Sequence, residues 1–590
     1  MSSTTSLQWD LTTIFSGGDA TSGQFQEHVN KLEKSINDLS SDVNDGVLTS
    51  MSFSDYFLTF QRLTAEVQEA SAFISCLLSD DTRDQEAKKW KMVTVQLGSR
   101  LKAMEADFEH FLASLEDEEW RELVQKPELD GLTFPMEERR ERAKGKMDKQ
   151  LEQLAESLSK DGYHGWNDMY STLIGHIRVT VDGETLSVGQ ANTKLGSSDR
   201  EEREKWSQAL RKEWEKYEDV FAETLNHLGG FRLSLYEGRG WSDPLHEPLL
   251  INRMSEETLD RMWSAIEDVK PALVKFLERK KQMLGIEEMK MHDVSAPMGT
   301  TVSSETPFST AIDQIERHFR KLSPIMADFA RESAEKRWIE AEDRDFKGAG
   351  GFCTSFPISN QSRVFMTYNG TPSSVQTLAH ELGHAYHQRA MGDMPYFSTR
   401  YSMSVAETAS TLAEQLVADA AVQEAASEEE RIALLDTKIN RSAAFFMNIH
   451  ARFLFEKRFY ERRKTEWLSA GALKELMVEA QKEAYHDQLS EYDPYFWASK
   501  MHFFITRVPF YNFPYTFGYL FSLGILEHAK SAGSEFERAY IDLLKDTASM
   551  SVEDLSRKHL SKDLTDKQFW LDAAQPIVED IEQFLKLTEA

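Results

Sequence analysis

Apolar residues recur along this chain mostly at helical spacing. Phe25, Val29, Leu32, Ile36 and Leu39 step by alternating four and three positions, which predicts one amphipathic helix with a single core-facing stripe. Residues 53–78 continue in the same style, and up to about residue 170 the chain reads as successive amphipathic helices with a break at residues 127–135. The charge-dense run at 136–150 has mixed signs and reads as a solvated helix face. The period then changes to two at residues 177–181 and 184–188, on either side of Asp182-Gly183, which predicts a β-hairpin. Ser198 and Glu201 predict a capping box that opens another long charged helix. A loop at 238–248 separates it from a helix over 255–284, with a kink expected at Pro271.

From residue 287 to 371 the helical period gives way to expected loops and short strands. Residues 350–357 and 363–368 predict two strands joined across 359–362. Their hairpin reads equally well as structural or as an edge that pairs with an extended peptide backbone. No fixed-period repeat or low-complexity linker is evident. The expected organisation is an N-terminal helical lobe over residues 1–200, with the hairpin near 177–188, intertwined with a catalytic region over 201–590.

The second strand runs into TPSSVQTLAHELGHAYHQR, residues 371–389. Thr371 suits an N-cap and Pro372 the first helical position, where a missing N–H leaves nothing unpaired. Val375, Leu378, Ala379 and Leu382 recur at helical spacing, and Gly392 follows as a stop signal. His380-Glu381-Leu382-Gly383-His384 is an H-E-x-x-H sequence on that helix. Residues four apart lie one above the other, so both imidazoles project from one face and can hold one Zn²⁺, with Glu381 in reach of a metal-activated water.

A catalytic zinc takes three protein ligands and keeps one position open. The metzincin arrangement, a histidine six residues after the second with a glycine midway, is excluded because Ala390 and His387 occupy those places. Two carboxylates remain. Asp393 lies in a loop nine residues after His384. Glu407 lies twenty-three residues after it, in a segment that opens a helix carrying Val405, Ala409, Leu412 and Leu416. That interval accommodates a loop and an antiparallel return, and a glutamate among small and apolar residues needs a counter-charge, so Glu407 is the preferred third ligand. Glu414, on the same face, reads equally as a residue orienting a ligand histidine or as an ordinary surface acid.

Composition narrows the class. Hydrophobic residues make up 41% of the chain and aromatic residues 11%, enough for a large core. The 98 acidic against 68 basic side chains leave a net charge of −30, which argues against nucleic acid or an anionic membrane as partner. Cys76 and Cys353 are the only cysteines and form no C-x-x-C pair, so no disulfide framework is expected and a reducing compartment fits. The N-terminal MSSTTSLQWDLTTIF lacks a basic and an apolar signal region, and no apolar run reaches the roughly 18 residues of a membrane span, so the expected location is cytoplasmic.

HELGHAYH, the downstream VAETAS and the GGFCTSFP strand together resemble the oligoendopeptidase F family, relatives of thimet oligopeptidase and neurolysin. Trp9-Asp10-Leu11 and residues 509–519, PFYNFPYTFGY, extend the similarity over nearly the whole chain. The resemblance implies a mainly α, multi-helix, ellipsoidal metallopeptidase with a deep central channel and a small β-sheet next to the H-E-x-x-H helix. It implies His380, His384 and Glu407 as ligands of one Zn²⁺ per chain and Glu381 as general base. It also implies that His502 and the tyrosines Tyr511, Tyr515 and Tyr519 act on the substrate at the metal, the hydroxyls donating to a developing oxyanion. Pro509 and Pro514 interrupt helical continuity there, which leaves open which tyrosine does so.

The expected activity is therefore a zinc metalloendopeptidase that hydrolyses internal bonds of short unfolded oligopeptides, with no nucleic-acid or membrane partner and with monomer or homo-oligomer undecided. Two alternatives stand beside it. A helical cytosolic zinc carboxypeptidase usually places His-Glu-Ser-Gln around its glutamate, where this chain has Ala406-Glu407-Thr408-Ala409. A catalytically silent peptide-binding protein would be expected to carry a damaged metal motif, and here the motif is whole.

Overall fold

A computed structural model of the chain describes residues 6–44, 47–48, 52–298 and 305–589. Helices dominate, with three small sheets among the described residues. The chain divides into two compact units, each assembled from three stretches. The first comprises residues 1–146, 303–420 and 528–561; the second comprises 147–302, 421–527 and 562–590.

In the first unit the stripe read from sequence becomes helix Gly23–Ser41, capped by the Ser22 hydroxyl, with Phe25, Val29, Leu32, Ile36 and Leu39 all buried. Helices Phe53–Asp80 and Gln85–Ser114 complete a layer whose core rings include Phe57, Phe60, Phe73 and Phe108. Phe356, Phe365 and Phe397 join the same core. Each such side chain contributes roughly 1.5–3 kcal/mol by leaving water, so this packing fixes where the neighbouring sheet sits.

That sheet has Gln361–Phe365 at its centre, pairing parallel with Ile339–Glu340 and antiparallel with Phe352–Phe356. Phe352 lies opposite Phe365 and Phe356 opposite Gln361, across a tight turn in which Asn360 takes a φ of 48°. Phe352–Phe356 is thus an edge strand. The N-terminal segment is bonded to this sheet region: the Ala341 N–H donates to Leu7 O at 2.6 Å and the Asp10 N–H to Arg337 O at 2.7 Å. Buried Arg363 donates to the Asp10 carbonyl at 2.7 Å and to the Thr13 hydroxyl at 2.8 Å. Seven residues after the central strand, helix Pro372–Ala390 begins with Thr371 as its N-cap.

Three expectations change. Residues 287–371 are not only loops and short strands, because helices Phe308–Arg320 and Pro324–Glu335 lie within them; residues 299–304 fall outside the described residues. The buried positions Phe308, Ala311, Ile312, Ile315 and Phe319 show the helical stripe that marks the first of these. The charged run at 136–150 is not wholly solvated either. Arg139 and Arg140 are buried: Arg139 pairs with Glu105 at 3.1 Å and lies over the Phe397 ring, and Arg140 donates to the Leu112 and Leu115 carbonyls. The long helix Arg200–Gly238 is capped by Asp199 rather than Ser198.

The second unit is built on Arg200–Gly238 and on Glu256–Met283 packed against Lys567–Leu587, and the Glu256–Met283 helix continues through Pro271. The predicted hairpin is present as Arg178–Val181 paired with Glu184–Ser187. Asp182 and Gly183 both have positive φ, the requirement of the tight primed turn that D-G favours. No helix among the described residues is long and apolar enough to cross a membrane.

Candidate active site

Helix Pro372–Ala390 buries Val375, Leu378, Ala379 and Leu382 and turns His380 and His384 to one side, their rings 4.8 Å apart and edge to face. The return segment breaks at Glu407, between the short helix Met403–Ala406 and helix Thr408–Glu424. One Glu407 carboxylate oxygen then lies 3.4 Å from His380 Nε2 and 3.6 Å from His384 Nε2. The Ser410 hydroxyl donates to that same oxygen at 2.8 Å and steadies it.

Gly383 permits this approach. A Cβ there would stand 2.6 Å from the Ala409 carbonyl oxygen and 2.6 Å from the Ser410 Cα, so the backbones of the two segments meet at this glycine. A side chain here would meet backbone, so the two segments would have to shift to admit it.

Protons are assigned by the outer partners. His380 Nδ1 faces a Glu414 carboxylate oxygen at 3.2 Å, and the His384 ring hydrogen-bonds the Ala406 backbone. Burial holds the His384 imidazole neutral, its pKa pushed down to about 4. With the outer nitrogens carrying the protons, two Nε2 lone pairs and a carboxylate oxygen converge within 4.8 Å of one another. Three acceptors so placed repel unless a cation lies among them. Donors about 2.0–2.1 Å from a tetrahedral zinc stand about 3.3 Å apart, close to the separations found, so the residues fit the metal that the motif implies.

Among the described residues this is the one group of histidine, cysteine and acidic side chains able to hold a metal ion. Asp393 is exposed and outside it. Glu414 is buried and paired with the ligand face, not an ordinary surface acid.

Glu381 is one step round the helix and only 6% exposed. Its Oε2 is buried without a hydrogen-bond partner, and Oε1 sits where a Cβ on Gly351 would come within 3.3 Å. Burial, with Glu407 adding to it against the opposing influence of His380, pushes this carboxyl up to about 7. A carboxyl of that kind, beside a metal and with one oxygen unengaged, is suited to taking and returning a proton near neutral pH. The edge strand Phe352–Phe356 starts one residue beyond Gly351, next to this carboxylate.

The other expected residues belong to the second unit. The His502 and Tyr511 rings are 5.3 Å apart, and those of Tyr511 and Tyr515 are 5.8 Å apart, so these three form one half-buried group. Tyr519 does not join it: its hydroxyl is buried against the Ser442 hydroxyl at 2.8 Å and its ring stacks on Phe445. The four-residue spacing placed Tyr519 with Tyr515, but Tyr511 precedes helix Phe513–Ala532 and its position is set by the left-handed Phe510, φ 50°. The Phe510 N–H donates to Glu456 at 3.1 Å. Glu456, missed in the sequence, is a buried carboxyl that burial pushes up to about 7.

Residues 195–575 match peptidase family M3, and residues 112–178 match the family described as oligopeptidase F. A relative from Lactococcus lactis subsp. lactis, described as an oligoendopeptidase F homolog, is 23% identical over 99% of this chain and 98% of its own length. Among solved structures, Pz peptidase A with an inhibitor superposes with a TM-score of 0.73 at 16% identity, covering 95% of this chain and 97% of its own. Oligoendopeptidase F from Enterococcus faecium does so with a TM-score of 0.68 at 17% identity, over 96% and 99%. At these identities the structural likeness speaks for the fold.

Proposed function

The chain belongs to peptidase family M3 and is a metallopeptidase, and from that premise we propose that it is a zinc endopeptidase hydrolysing internal bonds of short unfolded peptides. The observation that carries the reading is the convergence of His380, His384 and Glu407 as three acceptors, with the partnerless Glu381 oxygen beside them. Two imidazoles and a carboxylate are a donor set suited to zinc. When bound, the metal supplies Lewis-acid chemistry, making water nucleophilic near neutral pH and polarising the scissile carbonyl.

The residues do the rest. Glu414 and the Ala406 backbone hold the two histidines in the tautomers that present Nε2. Glu381 takes a proton from the attacking water and delivers it to the leaving amine, so one carboxylate serves as base and then as acid. The edge strand Phe352–Phe356 offers backbone groups to an extended peptide without demanding particular side chains, which suits a substrate defined by lack of structure. Tyr511, Tyr515 and His502 are proposed as hydrogen-bond donors to the peptide undergoing cleavage.

The test is a quenched fluorescent peptide, acetylated at one end and amidated at the other, incubated with metal-replete protein and analysed by mass spectrometry. Cleavage at an internal bond is expected. Absence of cleavage, together with release of single C-terminal residues from the free-acid peptide, would assign a carboxypeptidase instead.

A further inference from the structure

Beside the His502–Tyr515 group, two cations lie against one aromatic ring. Lys500 Nζ is 4.7 Å and the Arg452 guanidinium carbon 5.3 Å from the centre of Phe496. Arg452 is held in place by neutral groups, donating to Asn448 Oδ1 at 2.9 Å and Asn512 Oδ1 at 3.0 Å. The Lys500 ammonium makes no hydrogen bond and, like the Arg452 guanidinium, has no carboxylate within ion-pair distance among the described residues; the acidic group that acts on it is Asp493. Asp493 is itself engaged, its side chain accepting from the Tyr495 N–H at 2.9 Å.

Two further polar atoms of this region are without partners. Asn512 Nδ2 and His502 Nδ1 are both buried and unbonded. Burial and the positive charges of Arg452 and Lys500 hold His502 neutral, with its pKa pushed down to about 4. Like charges gathered in a low-dielectric setting, among unsatisfied polar atoms, cost stability unless an anion completes them. Arg452, Lys500, His502 and Tyr511 are each only partly covered, so a ligand can reach them.

We propose that Lys500, Arg452 and the Asn512 amide form a subsite for a carboxylate of the peptide substrate, supplied by its C-terminus or by an acidic side chain. A guanidinium already oriented by two amides presents its remaining N–H groups to a planar carboxylate, and the mobile ammonium adds charge without fixed geometry. The inference rests on the reading of the chain as a peptidase of short peptides.

The test compares three peptides of one core sequence: free acid without Asp or Glu, the same peptide amidated, and an amidated peptide carrying one Glu. With wild-type protein the free acid is expected to show a KM about tenfold below that of the plain amide, the scale of one charge-assisted contact. In Lys500→Gln the ratio should fall to within about twofold of one, and Lys500→Arg should restore most of it. A Glu-bearing amide as good as the free acid would support the subsite and assign the side chain as its source. Equal KM for all three peptides in active wild type, or a ratio that persists in Lys500→Gln, overturns the inference. Failure of metal-replete wild type to cut any peptide would overturn the proposed function instead.

Discussion

The metal centre of the first unit and the His502–Tyr515 region of the second are built on opposite principles. The first gathers acceptors: two imidazoles and Glu407, with Glu381 and Glu414 behind them. The second gathers the cations Arg452 and Lys500 and the Asn512 amide beside His502, Tyr511 and Tyr515. The first suits a cation and the second an anion. The proposed reaction calls for both kinds of group, a metal to activate water and donors for the negative charge that develops on the substrate.

The largest test of this division is Glu381→Gln. Turnover should fall by about a thousandfold or more while metal content stays at the wild-type level, because the base is removed and the ligands are not. Substantial activity in the metal-replete variant would remove Glu381 from the mechanism. For the wild type, log(kcat/KM) should decline as pH falls through the Glu381 ionisation, since the base must be unprotonated. Its carboxyl is raised from 4.5 to about 7 by burial, and a bound cation draws it back, so the acid limb should lie between those values.

Next comes Gly383→Ala. The added Cβ meets backbone rather than a flexible side chain, so a loss of about 1–3 kcal/mol in stability and weaker metal retention are expected together. Melting with and without chelator reads both. An alanine variant with wild-type metal affinity would show that the two segments can separate without cost to the centre.

In the second region, Tyr515→Phe should lower kcat about a hundredfold, as removal of one oxyanion donor does. Tyr519→Phe should leave kcat alone and cost about 1 kcal/mol, the worth of its bond to Ser442. Reversal of the two effects would exchange their roles.

The remaining effect, on stability alone, concerns Glu456. Its folded-state carboxyl is raised from 4.5 to about 7, so the stability it contributes is fully present below pH 4.5 and is lost as pH rises through about 7. Glu456→Gln should flatten that slope in urea midpoints measured between pH 5 and 8. An unchanged slope would mean another group carries it.

The same two regions show what a sequence can disclose. The motif helix was legible because its signals are local: a cap, a proline at the first position, and histidines one turn apart. Glu407 was legible from chemistry, as a carboxylate among small residues at a suitable interval. Gly383 was not, since its role exists only where Ala409 and Ser410 pack against it. Nor were Arg139 and Arg140, whose burial depends on carbonyls and rings distant in the chain. In the second region spacing misled: Tyr511, Tyr515 and Tyr519 share a period, but the left-handed Phe510 and the Ser442 contact divide them. The helix Phe308–Arg320 carries a legible stripe, Phe308, Ala311, Ile312, Ile315 and Phe319, inside a stretch that otherwise reads as loops and short strands.

The most direct measurement for the central claim is metal stoichiometry by plasma mass spectrometry on purified wild type, Glu407→Ala and Asp393→Ala. The His-His-Glu centre predicts about one zinc per chain in wild type and in Asp393→Ala, and loss of metal with activity in Glu407→Ala. Glu407→Ala that keeps its zinc, or Asp393→Ala that loses it, would contradict the account.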